Sequence, residues 1–283
     1  MKASVISVSG LVKRYEDVTA VNGIELEIYQ GEIFALLGPN GAGKSTTIEI
    51  LEGFRKRDSG QVSVLGIDPS STGEKAEELR NRIGIVAQNS GDAGDLTVQE
   101  CIRHFAHYYS APRNPDEVID SVGLNEKRKS LIRNLSGGQR RRLDVALGII
   151  GSPELLFLDE PTTGFDPEAR RHFWELVRTL RDEGTTILLT THYLDEAEAL
   201  ADRVGVINKG ILIEVATPAT LGGRANALAH VRWREDGELK GMSTSEPTQV
   251  IRELSSRLGE IVELEVIRPS LEDVYLQMIG QTR

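Results

Sequence analysis

The stretch GPNGAGKST, residues 38–46, directly follows the apolar run EIFALL. Glycine loses more backbone freedom on folding than other residues, so a run this rich in glycine needs a reason. Gly38, Gly43, Lys44 and Ser45 fit the pattern G-x-x-x-x-G-K-[ST], with a strand-like run before it and a helix-like run after it. The pattern predicts a phosphate-binding loop in an α/β fold. The alternative is a tight glycine turn with a solvent-facing lysine.

In such a loop the backbone N–H groups turn inward towards phosphate oxygens, and the helix start adds partial positive charge. We expect Lys44 to reach the β- and γ-phosphates of a bound nucleotide and the Ser45 hydroxyl to ligate Mg²⁺. This loop alone does not separate kinases, GTPases and ATPases. The predicted nucleotide-binding loop comprises Gly38, Pro39, Asn40, Gly41, Ala42, Gly43, Lys44, Ser45 and Thr46.

Strand-like and helix-like runs alternate along the first part of the chain, which predicts an α/β core with a parallel sheet. The runs at 33–37, 154–158 and 185–190 are apolar without alternation, as strands covered on both faces are. The early strand-like runs lie closer together and suggest an added antiparallel sheet. Helical periodicity fills 44–52, 97–110, 115–122, 137–150, 167–183 and 193–201.

The pattern changes after residue 215. The segment ATPATLGGRAN is typical of a connector. A strand at 228–234, a polar loop, a helix at 247–258, a strand at 260–267 and a final helix are predicted beyond it. We therefore predict two domains, a large one at 1–215 and a small α+β accessory domain at 216–283.

The net charge of −10 argues against a general nucleic-acid binder, which normally has a basic face. No stretch approaches the apolar length of a membrane span. If this chain serves a membrane, a separate chain must supply the spans.

The run LLFLDE at 155–160 predicts a buried strand that ends in two carboxylates. We expect Asp159 to lie beside the glycine loop, where it holds Mg²⁺ directly or through water. Glu160 lies one residue further out and is suited to orienting the attacking water. The alternative is an acidic strand end that leads into a turn.

The run LSGGQRRRLDVA at 135–146 predicts a second anion-binding helix start, with Ser136, Gly137 and Gly138 at its beginning. An ordinary helix cap is the alternative. One nucleotide does not need two such sites from one chain. The arginines at 140–142 are typical of a solvated helix face.

With these motifs in this order, the chain resembles the ATP-binding-cassette (ABC) ATPases over residues 4–215. The resemblance implies an ATPase core with an antiparallel β subdomain and an α-helical signature subdomain. In that family the LSGGQ signature of one subunit covers the ATP held by the glycine loop of another. Ser136, Gly137, Gly138 and Gln139 would therefore bind γ-phosphate across a dimer interface.

The resemblance also assigns roles to single residues. Tyr15 would stack on adenine, Gln88 would contact Mg²⁺ and water, Asp166 would contact the other subunit, and His192 would contact γ-phosphate. With Glu160, Gln88 and His192 form the expected catalytic set, and Ser45, Gln88 and Asp159 form the expected metal set. The sequence departs from the family pattern at Ala87, Thr163 and Phe165.

The implied function is ATP binding and hydrolysis that drive closure of a head-to-tail dimer and energise a transporter. The tail and signature resemble subunits of bacterial exporters of drugs, antibiotics, lipids or polysaccharides. The implied partners are a second copy of the chain and a separate membrane-spanning permease, with no nucleic acid. The implied location is the cytoplasm, peripheral on the inner face of the cell membrane. The alternatives are a soluble ABC ATPase that remodels a nucleic-acid or ribosome complex, and a regulatory ABC module.

Overall fold

The computed structural model describes residues 3–86 and 94–280. The chain divides into two compact units, one ending at Val215 and one beginning at Ala216. Each unit is described by itself below.

The strands of the first unit are β1 (Ser4–Tyr15), β2 (Val18–Tyr29), β3 (Ile33–Leu37), β4 (Ser59–Val64), β5 (Ile83–Val86), β6 (Leu155–Asp159), β7 (Thr186–Thr191), β8 (Arg203–Asn208) and β9 (Ile211–Ala216). Its α-helices are α1 (Lys44–Leu51), α2 (Glu74–Arg82), α3 (Val98–Ala106), α4 (Pro115–Ser121), α5 (Gly137–Ile149), α6 (Pro167–Asp182) and α7 (Leu194–Leu200). The last residue of β9, Ala216, belongs to the second unit.

The central sheet has the strand order β5-β6-β7-β3-β8-β9, and its pairs from β5 to β8 are parallel. Every residue of β3 and of β7 is buried, which confirms the prediction of strands covered on both faces. Because β6, β7 and β3 are neighbours and parallel, their carboxyl ends meet at one edge of the sheet. The glycine loop follows β3 at that edge, and Asp159 ends β6.

A separate antiparallel sheet has the order β2-β1-β4 and confirms the predicted addition to the core. Both β1 and β2 are longer than the apolar runs that predicted them. Their outer halves carry polar side chains on exposed positions, so only the inner halves show a strong apolar pattern. Tyr15 ends β1.

Helix α5 lies close against β5, and small residues make the approach possible. A methyl group placed on Gly84 would lie 2.1 Å from the carbonyl oxygen of Gly148. Glycine at both positions allows the helix backbone to rest almost on the strand. This close packing sets the position of the helix that begins with the LSGGQ glycines.

Helix α2 is absent from the sequence-based prediction. Leu79 is the one buried residue in α2, and the rest of the helix faces solvent. A helix that buries so little apolar surface has almost no periodic signal. Over the described ranges, no helix is both long and apolar enough to cross a bilayer.

The second unit contains a short 3-10 helix (Leu221–Asn226), β10 (Ala229–Glu235), β11 (Glu238–Thr244), α8 (Pro247–Leu258), β12 (Val262–Ile267) and α9 (Leu271–Gly280). Its antiparallel sheet has the order β11-β10-β12, and α8 packs on it through Leu254 against Val231 and Trp233. The prediction of a polar loop at β11 is wrong. Asp236 and Gly237 have φ angles of 56° and 82°, which is the geometry of a tight hairpin turn between β10 and β11.

Candidate functional site

The glycine loop curls tightly between β3 and α1. A methyl group on Gly38 would lie 2.4 Å from the carbonyl oxygen of Ile207, and one on Gly43 would lie 2.3 Å from that of Ala20. Gly43 also has a φ angle of 106°, which side-chain-bearing residues rarely adopt. It begins α1 without a side-chain cap, so the first N–H groups of the helix are available to an anion.

Lys44 is buried inside this loop rather than exposed to solvent. Its Nζ donates hydrogen bonds to the carbonyl oxygens of Gly38 at 2.7 Å and Pro39 at 3.1 Å. Burial lowers the pKa of Lys44, and the charges of Glu160 and Asp159 oppose that shift. The tertiary structure therefore brings the loop lysine and both predicted carboxylates into one electrostatic environment, and the turn with a solvent-facing lysine is excluded.

A threonine on β7 holds the carboxylate pair in place. The Thr190 hydroxyl donates a hydrogen bond to Oδ1 of Asp159. The Glu160 amide donates to the carbonyl oxygen of Thr190 at 3.2 Å and to its hydroxyl oxygen at 3.1 Å. Sequence reasoning did not single out Thr190, although its position at the end of a predicted strand was visible.

His192 lies against the second carboxylate. Its Nδ1 is 3.4 Å from Oε1 of Glu160, and its side chain is 41% exposed. The ring also packs on the neighbouring Tyr193 at a centroid distance of 4.1 Å. The structure therefore places the His192 ring next to the Glu160 carboxylate.

The glycine loop lines an open cavity of about 520 Å³. Its described lining residues are Tyr15, Ala20, Asn40, Gly41, Gly43, Lys44, Ser45, Thr46 and Glu160. Tyr15 is 36% exposed, and the cations of Lys13 and Arg55 lie 5.4 Å and 5.2 Å from its ring centroid. An aromatic ring at the mouth of a phosphate-binding cavity is well placed to stack on a nucleobase.

At the LSGGQ helix start Ser136 and Gly137 are exposed and Gly138 and Gln139 are partly exposed, and none of these four is in that described lining. Ser136 and Gln139 form a reciprocal capping box, with Gln139 N to Ser136 Oγ at 3.3 Å and Ser136 N to Gln139 Oε1 at 3.1 Å. Among the described residues, methyl groups built on Gly137 and Gly138 would meet nothing within 4 Å. The packing of the chain itself therefore does not explain these glycines.

Asp166 is exposed and caps α6, with its Oδ1 accepting a hydrogen bond from the Ala169 amide at 2.8 Å. This contact gives Asp166 a structural role inside the chain. The predicted contact with a second subunit is a separate proposal. Gln88, expected to contact metal and water, lies outside the described residues.

The oxygen donors at the loop fit Mg²⁺, which prefers carboxylate and hydroxyl oxygens and keeps several waters and phosphates. Ser45 is exposed and lines the cavity, and Asp159 is the last residue of β6. Among the residues that the structure describes, no cluster of three or more His, Cys, Asp or Glu side chains forms a protein-only metal site. A metal that shares its coordination with phosphate needs few protein ligands.

Two further charged residues near the site were not predicted. Arg141 is buried at 8% exposure, so the interpretation of residues 140–142 as a solvated face is wrong for this arginine. The helical spacing held the signal, because Arg141 is in phase with the buried Val145 and Gly148. Glu52 follows α1, and burial, helped by the charges of Asp159 and Glu49, raises its pKa to about 8.

Comparison with known proteins assigns these motifs to a family. A protein-family model described as ABC transporter matches residues 21–163. The daunorubicin/doxorubicin resistance ATP-binding protein DrrA of Streptomyces peucetius is 45% identical over 221 residues, which cover 76% of this chain and 66% of that protein. The Nod factor export ATP-binding protein I of Rhizobium sp. (strain N33) is 37% identical over 305 aligned residues. The alignment covers 99% of this chain and 99% of that protein.

The fold also matches solved structures. One is a dimeric post-hydrolysis state of the ATP-binding cassette MJ0796 bound to ADP and Pi. It has a TM-score of 0.68 and 22% identity, and it covers 75% of this chain and 98% of that one. The match confirms the predicted fold class.

Substitution of Tyr15 tests base stacking. Tyr15→Ala should weaken ATP binding by about 1–3 kcal/mol, the scale of one aromatic–base contact. Tyr15→Phe keeps the ring and should bind ATP nearly as wild type does. Titration of each purified variant with a fluorescent ATP analogue measures the effect. Equal affinities for all three proteins would exclude stacking.

Glu52 should make stability depend on pH. The folded chain holds the proton of Glu52 up to a pKa of about 8, whereas the ordinary value is 4.5. The folded state therefore binds more protons in this window, and stability should fall as pH rises from about 4.5 to 8. Glu52→Gln should remove this component, so the variant should gain stability over wild type as pH increases. Urea unfolding at pH 5, 6.5 and 8 would check this, and a constant difference between the two proteins would contradict it.

Proposed function

The chain belongs to the ABC transporter family of ATP-binding proteins, and from this membership we propose how its residues bind and hydrolyse ATP to energise an exporter. ATP hydrolysis is the activity of the family, and the relatives above are a drug-resistance protein and an export protein.

The glycine loop binds the phosphates through backbone N–H groups, and Lys44 provides a buried positive charge. Lys44 now bonds to its own loop carbonyls, so it must turn from these oxygens towards the phosphates when ATP binds. Ser45 and Asp159, with Gln88 as a further proposed ligand, would hold Mg²⁺, which would supply charge neutralisation at the phosphates. In this proposal Glu160 orients the attacking water. His192 lies 3.4 Å from the same carboxylate, and its proposed role is to contact the γ-phosphate.

A second copy of the chain completes the site in this proposal. The observation that carries it is the open surface of Gly137 and Gly138. In a helix interior, glycine is about 0.8–1.0 kcal/mol less favourable than alanine. The cost is smaller near the end of a helix, where Gly137 and Gly138 lie. A close approach by an outside phosphate explains both glycines. A head-to-tail dimer brings the signature of each chain onto the ATP bound by the other, so closure and recognition of γ-phosphate are linked.

The family is that of ABC transporters, and one relative is an ATP-binding protein of Nod factor export. An exporter role for this chain therefore requires a membrane-spanning partner. We place this chain in the cytoplasm, on the inner face of the membrane, bound to a separate permease. Residues 1–215 form the nucleotide-binding domain in this proposal, and residues 216–283 form an accessory domain.

Complementation between two defective variants tests the shared site. Lys44→Ala damages the loop half, and Gly137→Asp places a carboxylate in the signature half, where it repels phosphate. Each variant alone should be nearly inactive. In a mixed dimer, the intact loop of one chain faces the intact signature of the other. Random mixing should therefore restore about a quarter of wild-type ATPase activity, since half of the dimers contain one whole site.

The matched control is a chain that carries both substitutions. Mixed with Lys44→Ala, it forms no whole site and should restore nothing. Dilution should remove the restored activity because dimer closure depends on concentration. Nucleotide trapping and ATP-dependent dimer formation are measured beside turnover, in case hydrolysis requires two whole sites. No recovery in any of these readouts from folded proteins would contradict the two-chain site.

Purification from membranes separates the exporter from the remodelling ATPase considered above. Full-length tagged chain, solubilised in mild detergent, should bring down a multispanning membrane protein. Its recovery should not change with nuclease. Recovery of RNA or ribosomal protein in salt-sensitive form, with no membrane protein, would support the alternative instead.

A further inference from the structure

We propose that Arg141 is a positioning residue that fixes the backbone of Glu160 for hydrolysis. This inference rests on the proposed role of Glu160 in orienting water. It adds a residue from the signature helix to the carboxylate half of the site.

Two hydrogen bonds from one guanidinium enclose the residue in question. Arg141 Nη2 donates to the carbonyl oxygen of Asp159 at 2.7 Å, and Arg141 Nε donates to that of Pro161 at 3.0 Å. These two carbonyls belong to the residues on either side of Glu160. A guanidinium is planar and presents its donors in a rigid fork, so the two bonds fix the relative orientation of the peptide groups they hold.

The backbone of Glu160 needs such support. Its φ angle is 45°, in the left-handed region that a residue with a side chain rarely adopts. Such a conformation persists where surrounding contacts hold it. On β7, the hydroxyl oxygen of Thr190 accepts a hydrogen bond from the Glu160 amide. On α5, Arg141 donates hydrogen bonds to the two neighbouring carbonyl oxygens. The result is a carboxylate aimed to within 3.4 Å of His192.

Packing alone does not explain an arginine at this position. A buried guanidinium loses its hydration, and an apolar side chain of similar volume is often as stable or more so. Burial lowers the pKa of Arg141, while Asp144 and Asp159 oppose the shift. The charge is therefore compensated by nearby carboxylates, and two of the donors, Nε and Nη2, go to the carbonyls that flank Glu160.

The location of Arg141 gives this contact a second consequence. Arg141 lies in the second turn of α5, the helix that Ser136 caps and the exposed glycines begin. In the proposed dimer the signature meets the ATP of the other chain, whereas Glu160 acts on the ATP of its own chain. A single side chain, that of Arg141, thus connects the signature helix, which contacts one ATP of the dimer, with Glu160, which acts on the other ATP.

Three variants test the role. Arg141→Lys keeps the stem and charge but loses the fork, and Arg141→Met keeps an unbranched stem without charge or donors. Both should bind ATP within about twofold of wild type and lower kcat by about tenfold or more, because a small misplacement of a catalytic group has large effects on rate. Arg142→Met is the matched control on the same helix. Arg142 lies partly exposed beside Gly123 and His172, and its variant should keep wild-type kcat.

A double substitution separates positioning from general stability. Single-turnover rates are divided by the amount of bound ATP, so that unfolded protein does not count. If Arg141 acts through Glu160, Arg141→Lys should change the residual rate of Glu160→Gln by less than about twofold. The inference would be overturned if the rate losses of Arg141→Lys and Glu160→Gln multiplied in the double variant. It would also be overturned if the lower rate came only from a smaller fraction of protein able to bind ATP. Wild-type kcat in both Arg141 variants would also overturn it, whereas no hydrolysis by the wild-type chain would instead contradict the proposed function.

Discussion

A buried lysine ammonium connects the parts of the site. Lys44 Nζ is bonded to carbonyl oxygens of its own loop, and the charges of Asp159 and Glu160 offset part of the cost of its burial. The parallel order β6-β7-β3 makes this arrangement possible, because it brings the ends of distant chain segments to one edge. The cavity, the held carboxylates and the position of His192 all follow from that edge.

In our proposal, each chain contributes two halves of a shared ATP site. One half is the glycine loop with its carboxylates, and the other is the LSGGQ helix start. The glycine loop is shaped by contacts inside the chain, since methyl groups on Gly38 and Gly43 would collide with backbone oxygens. The signature glycines have no such neighbour in the part of the chain that the structure describes. The same residue type therefore answers an internal constraint in one motif and, in our proposal, a contact with another chain in the second motif.

Predictability follows the amount of apolar surface that an element buries. The fully buried β3 and β7 were predicted from their residues, whereas α2 buries one side chain and was missed. The sequence predicts a loop at β11 because only two of its seven residues, Leu239 and Met242, are apolar, and these two lie three positions apart instead of alternating. The Asp236–Gly237 turn was the available signal for that hairpin.

The sequence by itself determined the order of motifs, the α/β class and most of the proposed nucleotide-contacting residues, because glycine spacing, apolar runs and paired carboxylates are local patterns. The tertiary structure decided which side chains act together. It turned Arg141 inward while its neighbour Arg142 stayed partly exposed, gave Glu160 a left-handed backbone, and brought Glu52 under the influence of Asp159. These contacts join residues far apart in the chain, and burial and electrostatics at such contacts depend on how the sheet and helices pack.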